Sequence, residues 1–251
     1  MTAFADLHRP GDPLLLPNAW DHASAAALFC AGFPAVGTTS LGVAGANGLP
    51  DGAGRTRAET IALTRLITSL PGMVTVDIES GFSSDPAEVA DLAAQLHDAG
   101  AVGVNFEDEM GAPEVHCGLI EAIKRRVPGL FVNARTDTYW LGGSSLDETL
   151  VRAESYVDAG ADGIFVPGMA DPDEISAVVD RIDAPLNLLY LPGKHTVSDL
   201  AALGVSRIST GSLLFRAALH ATVATALAVR DEQPVASGIP GYDETVKLLG
   251  P

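Results

Sequence analysis

Apolar runs in this chain repeatedly stop on charge. Val74-Thr75-Val76 runs into Asp77-Ile78-Glu79, Val102–Phe106 into Glu107-Asp108-Glu109, and Leu130-Phe131-Val132 into Asn133-Ala134-Arg135-Thr136-Asp137. A short β-branched run closed by polar residues reads as a buried strand that delivers its last side chains to one edge of a sheet. Extending the same reading gives eight strands, near Leu14–Leu16, Ala35–Thr38, Val74–Asp77, Gly103–Phe106, Phe131–Ala134, Gly163–Val166, Leu186–Leu189 and Arg207–Ser209. Between them lie helical stripes, Val89, Leu92, Ala93 and Leu96 in one and Leu146, Leu150, Ala153 and Val157 in another. Asp85-Pro86 and Asp171-Pro172 have the form of an N-cap followed by a proline in the first helical turn.

An internal echo supports the alternation. Asp98-Ala-Gly-Ala-Val-Gly103 returns as Asp158-Ala-Gly-Ala-Asp-Gly163, with weaker copies at Ala31-Gly32 and Leu203-Gly204. In each, a glycine closes a helix where a left-handed backbone is wanted, and a strand follows. Eight βα units in 251 residues predict a single domain with a (β/α)8 TIM-barrel fold, with an irregular C-terminal tail from about residue 231. A doubly wound open sheet is the alternative. Either way the charged strand ends meet at the edge where parallel α/β folds hold their active sites.

The net charge of −17 argues against nucleic-acid partners and against anionic membrane surfaces. It also means that an anionic ligand needs a local cation. Two cysteines, Cys30 and Cys117, give neither a disulfide framework nor zinc-ligand spacing, which fits a reducing, cytoplasmic setting. No signal peptide is read in residues 1–12. The apolar segment 212–229 is interrupted by Arg216 and His220 and reads as a buried or interface helix rather than a membrane span.

The candidate chemistry follows from the strand ends. Asp77 and Glu79, two apart, would share one face of a strand, and two carboxylates side by side repel unless a metal or a proton intervenes. Hard oxygen donors favour Mg²⁺, with Mn²⁺ possible, and Glu107 arrives at the same rim. Arg135 can clamp a substrate carboxylate bidentately or neutralise Glu107 or Asp137. Thr38-Thr39-Ser40-Leu41-Gly42 offers backbone amides to an anion, or is an ordinary turn. His195 reads as a solvated loop histidine, while Asn187 and Tyr190 lie on the seventh strand, within reach of a substrate or of the core.

Taken together, Pro17-Asn-Ala-Trp-Asp21, Thr39-Ser40 with Asp51-Gly52, Val76-Asp77-Ile-Glu79-Ser-Gly81-Phe82, Asn105-Phe-Glu107-Asp108 and Asn133-Ala-Arg-Thr-Asp137 resemble the isocitrate lyase and phosphoenolpyruvate mutase superfamily, from Leu16 to about Arg216. The resemblance implies a Mg²⁺-dependent barrel that makes or breaks a C–C or P–C bond beside a 2-oxo-acid unit, through an enolate. It implies metal binding by Asp77, Glu79 and Glu107, directly or through water. Catalytic roles fall to Asp51, Glu107 and Arg135, and contacts to a small anionic 2-oxo acid to Trp20, Ser40, Leu41, Gly42, Arg135 and Asn187. It further implies a swapped C-terminal helix in a homodimer or homotetramer.

Two departures are visible. Isocitrate and methylisocitrate lyases carry a cysteine-containing basic loop after the fourth strand, and phosphoenolpyruvate mutases a longer gate with a lysine and an asparagine. Here Met110-Gly-Ala-Pro-Glu114 is short, and Cys117 falls in the following helix. Glu79 also replaces the aspartate usual in the lyases. The expected activity is a carbon–carbon lyase or decarboxylase of a small 2-oxo or 2-hydroxy dicarboxylate. Phosphonate chemistry, as a mutase or a phosphonopyruvate hydrolase, is the alternative, and a non-catalytic 2-oxo acid binder the third reading.

Overall fold

The computed structural model describes residues 3–249 apart from Ser144. Its strands are β1 (Leu14–Leu16), β2 (Asn18–Ala19), β3 (Ala35–Thr38), β4 (Met73–Asp77), β5 (Gly103–Glu107), β6 (Phe131–Arg135), β7 (Gly163–Val166), β8 (Leu186–Leu189) and β9 (Arg207–Ser209). All pairings are parallel, and each strand from β2 to β8 is bonded to the next. β1 pairs with β9 and β2 with β3, although both belong to one extended segment broken at Pro17. The segment thus serves both neighbours in turn. Leu16 O accepts from Thr210 N on one side, and Pro17 O from Gly37 N on the other, at 3.2 and 2.9 Å. This closes the (β/α)8 barrel expected from the sequence.

The helices are α1 (His22–Cys30), α2 (Ser40–Asn47), α3 (Arg57–Ile67), α4 (Pro86–Asp98), α5 (Pro113–Arg126), α6 (Leu146–Asp158), α7 (Pro172–Arg181), α8 (Val197–Ala202), α9 (Leu213–Arg230) and α10 (Tyr242–Leu249). Asp85 and Asp171 cap α4 and α7 as expected. The echoed glycines Gly32, Gly100, Gly160 and Gly204 all have positive φ, between 85° and 103°. After each, an amide reaches back across the helix end, as in Ala101 N to Leu96 O and Ala161 N to Tyr156 O. Those bonds satisfy last-turn carbonyls that the helix leaves open.

Three elements differ from expectation. The stretch after β3, where Thr38-Thr39-Ser40-Leu41-Gly42 is expected to be an anion-binding strand end or an ordinary turn, is helix α2 from Ser40. Its glycines are there for packing: a Cβ on Gly42 would lie 2.6 Å from Trp20 Cβ, and one on Gly45 2.8 Å from Phe215 Cζ. α6 buries Thr149, Arg152, Ala153 and Tyr156, so its inward face is turned from the apolar stripe toward a polar network. The tail beyond 231, read as irregular, carries α10, which packs against α1.

The barrel's closing seam depends on Asn18. Its Nδ2 donates to Thr38 O (2.7 Å), while Oδ1 accepts from Thr210 N (3.0 Å) and Gly211 N (2.8 Å). One side chain therefore stitches β2, β3 and the segment after β9. Asn18→Ala leaves these buried groups without partners, each worth ~1–3 kcal/mol. The variant is expected to lose ~3 kcal/mol of stability, seen as a lower denaturation midpoint at unchanged m-value.

Candidate active site

A cavity of about 400 Å³ opens at the C-terminal ends of the strands. Asp77 ends β4, Glu107 ends β5 and Arg135 ends β6, and all three line it. Glu107 and Arg135 are register partners, so neighbouring strands place their side chains at the same level. Arg135 Nη1 contacts Glu107 Oε2 at 2.5 Å and Nε contacts Asp137 Oδ1 at 2.6 Å. The guanidinium also lies 6.0 Å from the Trp140 ring centre and 5.9 Å from that of Phe165, within cation–π range.

Burial raises Glu107 to about 8; Arg135 opposes the rise, and the negative charges of Asp77, Asp137 and Glu109 reinforce it. Burial likewise raises Asp77, with Asp51 adding to the effect. Burial works against the Arg135 charge too, but Glu107, Asp137 and Asp77 outweigh it and hold its pKa above the usual value. The site is therefore short of positive charge. A hard cation between Asp77 and Glu107 would relieve the repulsion between their charged forms.

The donor set fits such an ion in a particular way. Asp77 and Glu107 would offer it carboxylate oxygens, with Asp51 nearby in the lining, but among the described residues no three His, Cys, Asp or Glu side chains gather into a closed metal cage. Mg²⁺ suits that arrangement, since it binds through one or two carboxylates and keeps several waters. Asp77 is held in place by amides: Oδ2 accepts from Ser40 N (3.0 Å) and Oδ1 from Glu79 N (3.3 Å).

Glu79 is placed elsewhere. β4 ends at Asp77, and Glu79 has φ 49°, so the two do not share a strand face. Its carboxylate accepts from Thr56 Oγ1 (2.6 Å) and Gly54 N (3.2 Å), tying the loop that carries Asp51 to the rim. Ser40, Leu41 and Asp51 line the cavity. Trp20 and Gly42 do not, being packed against each other, with the Trp20 ring edge-on to Phe215. Asn187 is buried below, where its Oδ1 accepts from Ser209 Oγ at 3.0 Å.

Sequence reasoning missed the floor of the site. Arg207, fully buried in the barrel, donates from Nε to Ser209 Oγ (3.2 Å) and from Nη2 to Asn105 Oδ1 (3.0 Å). Burial lowers its pKa to about 9, an effect that the Asp77 charge opposes. The arginine opens β9, with no motif to mark it. Also missed were the cavity walls Trp140 and Phe165; aromatic residues beside a strand end were the available signal.

Asp108 holds the rim from behind. Its Oδ2 accepts from Tyr156 OH (2.7 Å) and Arg152 Nη1 (3.0 Å), and Oδ1 from Met110 N (3.0 Å) and Asp137 N (3.1 Å). Burial would raise its pKa, but the bonds from Tyr156, Met110 and Asp137 win and lower it. A carboxylate depressed by folding adds stability above its unfolded pKa and loses it as pH falls through the folded value. Asp108→Asn leaves Glu148, whose Oε1 accepts from Arg152 Nε at 3.0 Å, as the remaining carboxylate of Arg152, and a loss of ~1–3 kcal/mol is expected in chemical denaturation at neutral pH. The loss should shrink as acid removes the wild-type advantage.

Cys117, in α5, donates Sγ–H to Ser155 O (3.4 Å) and does not line the cavity. This agrees with its reading as a packed helix residue.

Comparison with known proteins places this geometry. The chain is 46% identical over 252 residues to an uncharacterized protein of Mycobacterium tuberculosis, covering 98% of this chain and 96% of that one. It is 31% identical to the 2-methylisocitrate lyase of Bacillus subtilis, over 73% of this chain and 64% of the lyase. Its fold matches the crystal structure of phosphonopyruvate hydrolase in complex with oxalate and Mg²⁺, with a TM-score of 0.86 and 25% identity over 99% of this chain and 94% of the hydrolase. The family model described as phosphoenolpyruvate phosphomutase matches residues 4–230, and with the relatives above it shows that the chain belongs to the phosphoenolpyruvate phosphomutase family, within the superfamily shared with isocitrate lyases.

Proposed function

We propose that this protein is a Mg²⁺-dependent carbon–carbon lyase that acts on a small 2-oxo or 2-hydroxy acid through an enolate of pyruvate type. The observation that carries this reading is the meeting of Asp77, Glu107 and Arg135 at one cavity, two carboxyl groups and one cation on consecutive strand ends. When bound, Mg²⁺ would supply a Lewis acid to the oxygens of the oxo-acid unit.

The protein's own groups do the remaining work. With Nε and Nη1 of Arg135 engaged by Asp137 and Glu107, Nη2 is left for a substrate carboxylate. The start of α2 adds amides: Thr39 makes no side-chain cap, and a helix N-terminus favours an anion. Asp51 lines the cavity, takes no part in the ion pairs of Arg135 with Glu107 and Asp137, and is placed to move a proton.

The turn after β5 is short, with only residues 108–112 between β5 and α5, and Cys117 lies in α5. Both the cysteine loop of the lyases and the longer gate of the mutases are therefore missing, and phosphonate chemistry stays the alternative.

Assembly belongs to the same proposal. None of the 18 residues of α9 is buried in the subunit, and Leu219, Val223 and Leu227, at intervals of four, are 52%, 59% and 42% exposed. α9 is long and apolar enough to span a membrane by length and composition, with mean hydropathy 1.3. It carries Arg216 and His220, however, and a single marginal helix of this kind does not indicate a membrane protein. Its exposed stripe suits a neighbouring subunit.

Titration calorimetry should show oxalate binding that depends on Mg²⁺. Asp77→Ala should abolish the metal dependence, and Arg135→Ala should cost ~2–5 kcal/mol of oxalate affinity. Cys117→Ser should bind and turn over as the wild type does. Metal-independent oxalate binding at full strength would overturn the reading. In sedimentation the protein should run as a dimer or tetramer, and Leu219→Glu with Val223→Glu should lower the mass; a wild-type monomer at micromolar concentration would refute the assembly.

A further inference from the structure

The lining of the cavity is unequal in a way that bears on the substrate. Five carboxyl groups line it, from Asp51, Asp77, Glu107, Glu109 and Asp137. Among the described residues, Arg135 is the only basic side chain in the lining, and two of its nitrogens are already in ion pairs. Arg55, Arg57, Lys194 and His195 lie outside it, and His195 Nε2 is 2.7 Å from Ala170 O. Much of the rest is apolar: Leu41, Trp140, Leu141, Phe165, Pro167 and Leu189. Trp140 and Leu141 are 53% and 63% exposed, so this surface is open to a ligand.

One guanidinium edge and one divalent ion are matched to one carboxylate and its neighbouring carbonyl. A second carboxylate or a phosphonate would find no further cation and would face like charge, which costs most where water is excluded. Neutral hydroxyls and amides such as Ser40, Asn105 and Ser212 could hydrogen-bond such a group without balancing it. An alkyl chain, by contrast, gains from burial against the indole and phenyl rings.

The bond to be broken follows. Without a second carboxylate there is no carbon dioxide to release, and the carbon that leaves C3 can depart as a neutral carbonyl with no water or other co-reactant. A hydroxyl on C4 provides this. We propose, resting on the lyase reading above, that the substrate is a monocarboxylic 4-hydroxy-2-oxo acid with an apolar C4 substituent, cleaved by retro-aldol chemistry to pyruvate and an aldehyde. The 4-hydroxyl proton passes to a carboxylate outside the Arg135 ion pairs, Asp51 or Glu109. The O–H electrons form the aldehyde C=O as the C3–C4 bond breaks. The C3–C4 pair becomes the C2=C3 bond of the enolate, whose oxo oxygen takes the displaced C=O pair. The carboxyl group then returns the proton to C3. Atoms and charge balance with no oxidant or co-reactant.

The test is a substrate series with Mg²⁺, reading pyruvate and aldehyde separately. 4-Hydroxy-2-oxohexanoate and its longer homologues are expected to exceed oxaloacetate and phosphonopyruvate in kcat/KM at least tenfold. Trp140→Ser should raise KM for the longer chains more than for 4-hydroxy-2-oxopentanoate. Leu141→Arg, at an exposed position, should move the preference toward oxaloacetate. Binding offers a readout free of turnover: 2-oxohexanoate should bind at least tenfold tighter than 2-oxoglutarate. A faster dicarboxylate or phosphonate, tighter 2-oxoglutarate binding, or release of a carboxylic acid from an acylpyruvate in place of aldol cleavage would overturn the proposal. If oxalate binds with Mg²⁺ but no hydroxy-oxo acid is cleaved, the substrate class fails while the oxo-acid site stands. If oxalate does not bind, the underlying reading fails as well.

Discussion

The rim of this barrel holds more negative charge than one guanidinium can balance, and much of its local architecture answers that constraint. Parallel strands in register carry Glu107 and Arg135 to the same height, so the ion pair between β5 and β6 is fixed by the sheet itself. Asp137, two residues further on, takes the other edge of the same guanidinium. Among the described residues Asp77 has no salt-bridge partner, and it is held by the amides of Ser40 and Glu79. Amides orient a carboxylate without cancelling its charge, which leaves the pair formed with Glu107 suited to an added cation.

Much of the fold was legible because its signals are local and geometric. A helix that ends in a left-handed glycine declares its own terminus, and four such ends in the right order define βα units. The N-caps at Asp85 and Asp171 act within one turn, so sequence alone suffices to see them. The charged strand ends were equally clear, since a buried strand tolerates charge only where it leaves the sheet.

What escaped depends on contacts distant in sequence. Gly42 and Gly45 look like loop residues until Trp20 and Phe215 are seen to need their space. Glu79 looks like a strand partner of Asp77 until the backbone turns after the last ladder bond, and only the loop from Gly54 to Thr56 explains its direction. α6 turns Arg152 and Tyr156 inward because Asp108, more than forty residues earlier, requires them. Burial of a polar face shows no hydrophobic periodicity, so no pattern in the chain could reveal it.

Arg207 links the scaffold to the chemistry. A fully buried guanidinium without a carboxylate partner is costly; among the described residues Arg207 forms no salt bridge, and its hydrogen bonds go to neutral groups, Asn105 and Ser209. Those neutral groups are themselves tied across the barrel, Asn105 Oδ1 by Asn133 Nδ2 (2.8 Å) and Ser209 by Asn187. The interior is thus a network spanning β5, β6, β8 and β9 rather than a packed apolar plug. Its one charge is that of Arg207, which the Asp77 carboxylate stabilises from a distance, while both carboxylate oxygens of Asp77 accept from amides, those of Ser40 and Glu79. A salt bridge at that position would balance the acid's charge and weaken its attraction for an added cation. Keeping the arginine one layer down preserves the negative rim while moderating it, and this gives the polar interior a function that an apolar core could not supply.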